Sequence, residues 1–343
     1  MALFTLRTDR LLLRSVRASD AISLAARRSD PEVARYQTWI PPYPLDRAEA
    51  VIADVMAMDG PVDGEWWMLT IADLADTTVF GDLVVHLSWS GRTAEIGYTL
   101  ASEAWGRGYA VEATSTLVEY LFDTIGVTRV EASLHPDNTA SAQVLERIGM
   151  LFEGHTRSSF WVGDDNSDDW LYGMTRDDSE LWRNRSRTQP EMVELVEVTD
   201  ANLSEVLRLA THRSQQYFAT PVPKSLAEAL IPPEHEGVVV RPWYRAVRAD
   251  GDVVGFVMLA RSQAGHPEPY LWRLLIDRMH QRRGIGAQVI ELVVGQCRDW
   301  GDATLLVSWV PGKGSPEPMY LARGFVPTGV IEDGEIEARL TFE

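Results

Sequence analysis

The chain has 343 residues, which is long for one core and suits two domains of ordinary size. Its formal net charge of −18 argues against nucleic acid as a partner and favours a cationic one, such as an amine. The lone cysteine, Cys297, rules out a disulfide framework, and no run of about 18 apolar residues exists to span a membrane. A cytoplasmic location with no membrane partner is therefore the expectation.

Met1 to Leu6 lacks a signal-peptide layout and runs directly into a strand, with Leu6 to Arg14 alternating apolar and polar residues. Ala18 to Arg28 reads as a helix with Pro31 beyond its end. Pro41-Pro42-Tyr43-Pro44 is a rigid loop, and Asp46 to Met58 is a second helix. Glu65 to Ala72, Phe80 to Trp89 and Arg92 to Leu100 predict an antiparallel meander, turning at Ala75-Asp76 and Ser90-Gly91. Trp66, Trp67 and Trp89 are packing residues or pocket walls.

Trp105-Gly106-Arg107-Gly108-Tyr109-Ala110 follows this strand and opens a helix. Ala110, Ala113, Thr114, Leu117, Val118, Leu121 and Phe122 share one helical face. A glycine turn between a strand and a helix start aims unpaired N–H groups outward, where the helix dipole favours an anion. A pyrophosphate fits such a loop. It is neither a Walker A loop nor a GxGxxG dinucleotide fingerprint.

Val127 to Leu134 is the fifth strand, and His135 to Ser141 opens the helix Ala142 to Ile148. Asn138 suits that helix as its N-cap. Phe152 to Trp161 and Trp170 to Met174 form a hairpin around the acidic loop Gly163 to Asp169. That loop is a solvated turn or a face for the amine. Ser179 to Arg185 is a short helix, and the polar stretch Ser186 to Pro190 reads as a linker.

The second half begins with the strand Val193 to Val198 and the helix Leu203 to Arg213, capped from Thr199 to Asn202. Strands Trp243 to Arg248 and Val253 to Arg261 flank the turn Asp250-Gly251. Tyr270 to Asp277 leads into Gln281-Arg282-Arg283-Gly284-Ile285-Gly286, then an apolar helix through Val289, Leu292, Val293 and Cys297. On that face Cys297 reads as a core thiol. Thr304 to Trp309 is the next strand. Gly149-Met150 and Gly324-Phe325 close helix-to-strand turns at nearly equal distances beyond the two loops. A repeat of this size means two related domains: 1–185, a linker at 186–191, and 192–343.

Both loops resemble the acyl-CoA pyrophosphate loop of the GCN5-related N-acetyltransferases, whose pattern is Gln/Arg-x-x-Gly-x-Gly/Ala. Gln281, Gly284 and Gly286 fit it fully. Gly108 and Ala110 fit it in the first copy, where Trp105 replaces Gln or Arg. The Trp-Gly-Arg-Gly-Tyr-Ala form is similar to the RimJ/RimL-like N-terminal acetyltransferase branch. The opening of the second half, with Gln216 to Ala219 and Ser225 to Ala229, resembles the bacterial polyamine acetyltransferases.

The resemblance implies an α/β (α+β) fold. It consists of two tandem domains, each a mixed, mostly antiparallel central sheet flanked by helices. It implies acetyl-CoA as co-substrate, held in the first half by Leu100, Trp105, Gly106, Arg107, Gly108, Tyr109, Ala110, Asn138 and Ser141. In the second half the matching residues are Leu275, Ile276, Gln281, Arg282, Arg283, Gly284, Ile285 and Gly286. Asp169 and Tyr172 match an Asp and a Tyr that the N-terminal branch carries on this strand, on the acceptor side. Pro311 to Glu317 stands where the family has an Asn-containing loop, and it contains no Asn.

Acetyl transfer from a thioester to an amine needs an aligned thioester, a neutral amine and a proton or donor for the departing thiolate. Tyr320, four residues before Gly324, matches the family's general acid; the alternative is a half-buried structural tyrosine. Glu95, on the strand feeding the first loop, is the candidate base or a salt-bridged surface carboxylate. Leu145 holds the position matching Tyr320, so the first half would rely on Tyr109, Tyr172 or water. His86, His135 and His155 receive no role, and no Cys/His cluster suggests a metal. The resulting expectation is an N-acetyltransferase acting on a small-molecule, antibiotic or peptide amine. It would be a monomer (an internal pseudo-dimer) or a homodimer. The alternatives are an acyl-CoA-binding or sensing protein, or one catalytic domain with the other as structural partner.

Overall fold

The computed structural model describes residues 4–235, 237–265, 267–312 and 314–342. The first residues of the expected N-terminal strand, Met1 to Leu3, and Lys313 of the loop lacking Asn lie outside them. The chain divides into two compact units, Met1–Asn184 and Arg185–Glu343.

In the first unit, β1 (Thr5–Arg7) and β2 (Leu11–Ser15) replace the single strand expected over Leu6 to Arg14. The break falls at Thr8, whose hydroxyl accepts from the Leu11 amide at 2.8 Å and folds the chain back. Helices α1 (Asp20–Ser29), α2 (Pro31–Ala34) and α3 (Leu45–Met56) follow. Pro31 starts a turn of helix rather than trailing one, because Asp30 caps it by accepting from the Glu32 amide. The meander is β3 (Trp66–Asp73), β4 (Val79–Ser88) and β5 (Thr93–Leu100). Then come α4 (Tyr109–Tyr120), β6 (Arg129–Leu134), α5 (Thr139–Arg147), the hairpin β7 (Leu151–Val162) and β8 (Asp165–Thr175), and α6 (Arg176–Asn184). Among the described residues these strands form one sheet in the order β1-β2-β3-β4-β5-β6-β8-β7.

The second unit holds β9 (Val193–Val196), α7 (Leu203–Arg208), α8 (Val222–Leu230), and the short pair β10 (Glu234–His235) and β11 (Val238–Val239). It continues with β12 (Pro242–Ala249), β13 (Asp252–Ala260), β14 (Tyr270–Ile276), α9 (Ile285–Trp300) and β15 (Thr304–Trp309). It ends with α10 (Glu317–Ala322), β16 (Val326–Glu332) and β17 (Glu335–Thr341). The main sheet runs β16-β17-β15-β14-β13-β12-β9. Both sheets are mixed and mostly antiparallel, as expected, with helices flanking them.

Each core forms where α4 or α9 lays its apolar stripe on its sheet. Ala113, Leu117 and Val118 are buried in one, and Ile285, Val289, Val293 and Cys297 in the other. Each buried leucine or valine contributes about 1.5–3 kcal/mol relative to exposure. Cys297 is a core thiol, and burial pushes it up to about 12. Trp67 is buried in the core, whereas Trp89 sits exposed at a turn with φ +55°.

The parallel pairs position the sites. β5 and β6 pair only from Thr93 to Glu95 with Arg129 to Glu131, and β14 and β15 only at Tyr270 and Leu271 with Leu306 and Val307. Beyond those residues each pair of strands parts. The parted edges lie beside the loop that starts α4 or α9.

Candidate functional site

The two loops share one backbone shape. Gly106 and Gly108 have φ of +74° and +79°; Arg282 and Gly284 have +64° and +76°. Gly108 and Gly284 are the N-caps of α4 and α9, so the first N–H groups of each helix face away from the helix body. Arg282 takes a left-handed conformation that glycine holds in the first loop, at a cost of about 1 kcal/mol.

The departure at Trp105 has a physical explanation. Its indole Nε1–H donates to the Leu100 carbonyl at 3.0 Å. Gln281 Nε2–H donates to the Ile276 carbonyl at 3.1 Å, across the same span of chain. Both side chains pin the loop to the last carbonyl of the strand before it. Gln281 is held in turn by a reciprocal amide pair with Gln215, at 2.8 and 3.0 Å.

The expected ligand-holding residues divide into groups. The side chains of Leu100, Leu275 and Ile285 are in the core, and the Leu100 and Ile276 carbonyls are already bonded within the protein. Arg283 is turned inward, away from any ligand on the loop. Its guanidinium donates to the Thr188 carbonyl at 2.8 Å and lies 3.5 Å from Asp250. Arg107 offers its carbonyl to Arg10, whose guanidinium also lies 4.8 Å from the Tyr109 ring centroid. Tyr109 stacks on Phe80 with centroids 4.8 Å apart, so it supports the loop. Gly286 packs closely enough that an added Cβ would meet Met319 Sδ at 3.3 Å.

In the second unit a cleft of about 740 Å³ opens between the parted strands and the loop. Gln281, Arg282, Gly284, Gly286 and Tyr320 are all among its lining residues. Tyr320 is 6% exposed, stacked on Trp309 and edge-on to Phe325. Burial raises its phenol above the ordinary range, and the neighbouring Tyr270 adds to this. Among the described residues its hydroxyl has no hydrogen-bond partner. A cleft lined both by a helix N-terminus and by a protonated phenol suits a phosphate-bearing ligand.

The first unit is built differently. Asn138 caps α5, accepting from the Ser141 amide at 3.2 Å. The Ser141 hydroxyl and carbonyl both contact the Tyr98 phenol, at 2.8 and 2.9 Å. Tyr98, which no sequence motif singles out, thus ties β5 to the start of α5 across the gap. Leu145 and Tyr320 are structurally equivalent: the Met150 amide reaches the Leu145 carbonyl as the Phe325 amide reaches that of Tyr320. Leu145 is buried and offers no proton.

Glu95 stands in register with His86 on β4 and Glu131 on β6. Burial raises its carboxyl above the usual range, helped by Glu131 and Asp169 and opposed by His86. Trp66 lies against His86 with centroids 5.1 Å apart. Asp169 is half-buried and accepts from Ser159 Oγ at 3.1 Å. Tyr172, expected beside the acceptor, is instead in the core at 1% exposure, and its phenol donates to buried Glu146 at 3.0 Å. The acidic loop is mostly strand, since β8 begins at Asp165 and leaves a tight turn at Gly163-Asp164.

The turn Arg213–Gln215 carries the glutamine that holds Gln281, and α7 stops at Arg208 rather than continuing to Arg213. His212 precedes this turn. Burial, with Arg278 and Arg185, lowers its pKa from 6.5 to about 4. The unfolded chain therefore takes up a proton that the fold refuses. Stability is intact above the unfolded pKa and falls as pH drops from 6.5 toward 4, by up to about 3 kcal/mol. Denaturant unfolding of the full chain at about pH 7.5 and pH 5 is expected to show this loss, and His212→Gln to reduce it. Equal pH dependence in both proteins would remove His212 as the cause.

Two family models match the sequence: an acetyltransferase (GNAT) domain over residues 10–151 and the acetyltransferase (GNAT) family over residues 206–325. The uncharacterized N-acetyltransferase p20 of Bacillus licheniformis is 34% identical, covering 45% of this chain and 85% of that protein. The uncharacterized N-acetyltransferase YoaA of Bacillus subtilis is 31% identical, covering 50% of this chain and 96% of that protein. The crystal structure of an acetyltransferase (GNAT family) from Bacillus anthracis aligns with TM-score 0.46 and 24% identity, over 51% of this chain and 99% of that one. Among the described residues no group of side chains is arranged to hold a metal ion, and no helix is long and apolar enough to cross a membrane.

Proposed function

Because this chain belongs to the GNAT acetyltransferase family in both of its halves, we propose that its second half moves an acetyl group from acetyl-CoA to a primary amine. The observation that carries this reading is Tyr320. A buried phenol with no hydrogen-bond partner among the described residues, lining the same cleft as a helix N-terminus, suits the protonation of a departing thiolate. Its raised pKa keeps the proton in place until the thiolate develops. The first N–H groups of α9 and the exposed Arg282 would hold the pyrophosphate, with Gln281 fixing the loop. Gly286 leaves the helix start free of side chain there.

The first half would bind a second acetyl-CoA on the Gly106 to Ala110 backbone, with Asn138 and Ser141 at the α5 start. Its Glu95, which burial makes more basic than a surface carboxylate, is suited to accept a proton from an amine. The absence of a phenol at Leu145 favours the second half as the faster site. The net charge of −18 suits a cationic acceptor, whether a small-molecule amine or a peptide α-amine.

The test is release of free CoA thiol from acetyl-CoA by the full chain, against a panel of primary amines. Amine-dependent, saturable release with formation of the acetylated amine is expected. Tight CoA binding with no acetylation of any amine would instead favour the sensing alternative.

A further inference from the structure

The second cleft contains a file of three side chains that the roles above do not use. Tyr270 opens β14, Ser308 lies on the adjoining β15, and Glu335 opens β17 beyond it. The Tyr270 phenol is 2.5 Å from Ser308 Oγ, and Ser308 Oγ donates to a Glu335 carboxylate oxygen. All three line the same cleft as Tyr320.

The file has a direction. A serine hydroxyl has one hydrogen, and here it is committed to Glu335. The contact with Tyr270 therefore needs the phenol as donor. The lone pairs of the phenol oxygen remain to accept from a donor in the cleft. One end receives a proton and the other end is a carboxylate.

We propose that Tyr270, Ser308 and Glu335 form a proton relay that deprotonates the acceptor ammonium, with Glu335 as its terminus. The proposal rests on the reading of the second half as a catalytic site. One N–H proton of the ammonium passes to the Tyr270 oxygen while the Tyr270 proton moves to Ser308 and the Ser308 proton to Glu335. Glu335 then releases that proton to solvent. The freed nitrogen lone pair forms the C–N bond to the acetyl carbon, and the C–S bond breaks with its electron pair left on sulfur. Tyr320 gives its proton to the sulfur, and the second proton lost by nitrogen restores the phenol. Amide, thiol and one solvent proton are the products.

The surroundings suit a conduit. The charged groups acting on Tyr270 are Arg273 on its own strand and Glu335 and Glu337 on β17, with the Tyr320 phenol facing it from α10. Burial raises Tyr270, so it passes a proton on and does not dwell as phenolate. Among the described residues the first half has no such file. By strand register, Ala94, Ala132 and Trp170 hold the corresponding places.

The experiment uses the full chain carrying Gly108→Glu, so that only the second half binds acetyl-CoA. Rates with one accepted primary amine are measured from about pH 6 to pH 9, with Glu335→Gln and Ser308→Ala added separately. Each variant is expected to lose about 10- to 100-fold in kcat/KM at pH 7, with the loss shrinking as pH rises and the amine deprotonates in solution. Calorimetric CoA affinity should be unchanged, which shows that the cleft is intact. Wild-type pH profiles in both variants, or an equal loss at every pH, would overturn the relay alone. A Gly108→Glu parent without any turnover would overturn the reading of the second half, and the relay with it.

Discussion

Tyr320→Phe is expected to lower acetyl transfer by about 100-fold or more while leaving stability almost unchanged. The ring keeps its stacking on Trp309 and its edge contact with Phe325. The hydroxyl has no partner among the described residues, so its removal strands no buried donor or acceptor. What disappears is the proton beside the place where the thiolate forms. Because Leu145 occupies the same position in the first half, that half has no phenol to compensate. A loss in kcat at unchanged CoA affinity would mark a group that acts in the transition state. Steady-state kinetics beside the wild type settle the matter: unchanged turnover would leave Tyr320 as a packing residue and move catalysis elsewhere.

The second large effect is expected at the first loop. Gly108→Glu places a side chain where φ is +79°, a region that L-residues enter at a cost of about 1–2 kcal/mol. It also puts a negative charge at the start of α4, where the pyrophosphate would be held. CoA affinity of that site should fall by roughly 100-fold or more, from both repulsion and blocked access. Calorimetry on the full chain should then count one CoA where the wild type binds two. A stoichiometry of two, with both affinities intact, would remove the first loop from the binding site.

Local chemistry announced the strand–loop–helix units well. Glycine placement, helical periodicity and the spacing to Gly149 and Gly324 are all short-range properties, and they located both loops and the two-sheet architecture. Tertiary partners decided the remainder. Thr8 breaks the first strand because its hydroxyl finds the Leu11 amide. Tyr172 was read from its place on the strand, yet Glu146, far off in sequence, draws its phenol into the core. Arg283 was assigned to the ligand by its place in the loop, but the Thr188 carbonyl and Asp250 claim it. The file from Tyr270 to Glu335 was invisible because it joins three strands. A single sequence gives no reason to read those three residues together.

Trp105 and Gln281 show what such a loop demands of its first residue. An indole and a carboxamide differ in size, shape and polarity, yet each delivers one N–H to a carbonyl that ends the preceding strand. The requirement at that position is a reach and a donor, and it can be met by more than one letter of the alphabet. A search that spells the position as Gln or Arg will pass over loops of the first kind. One that asks for any side chain able to return a hydrogen to the strand end will find them. Drift between these residues could then leave the loop's shape untouched, and two halves of one polypeptide can diverge in spelling while keeping the same hinge.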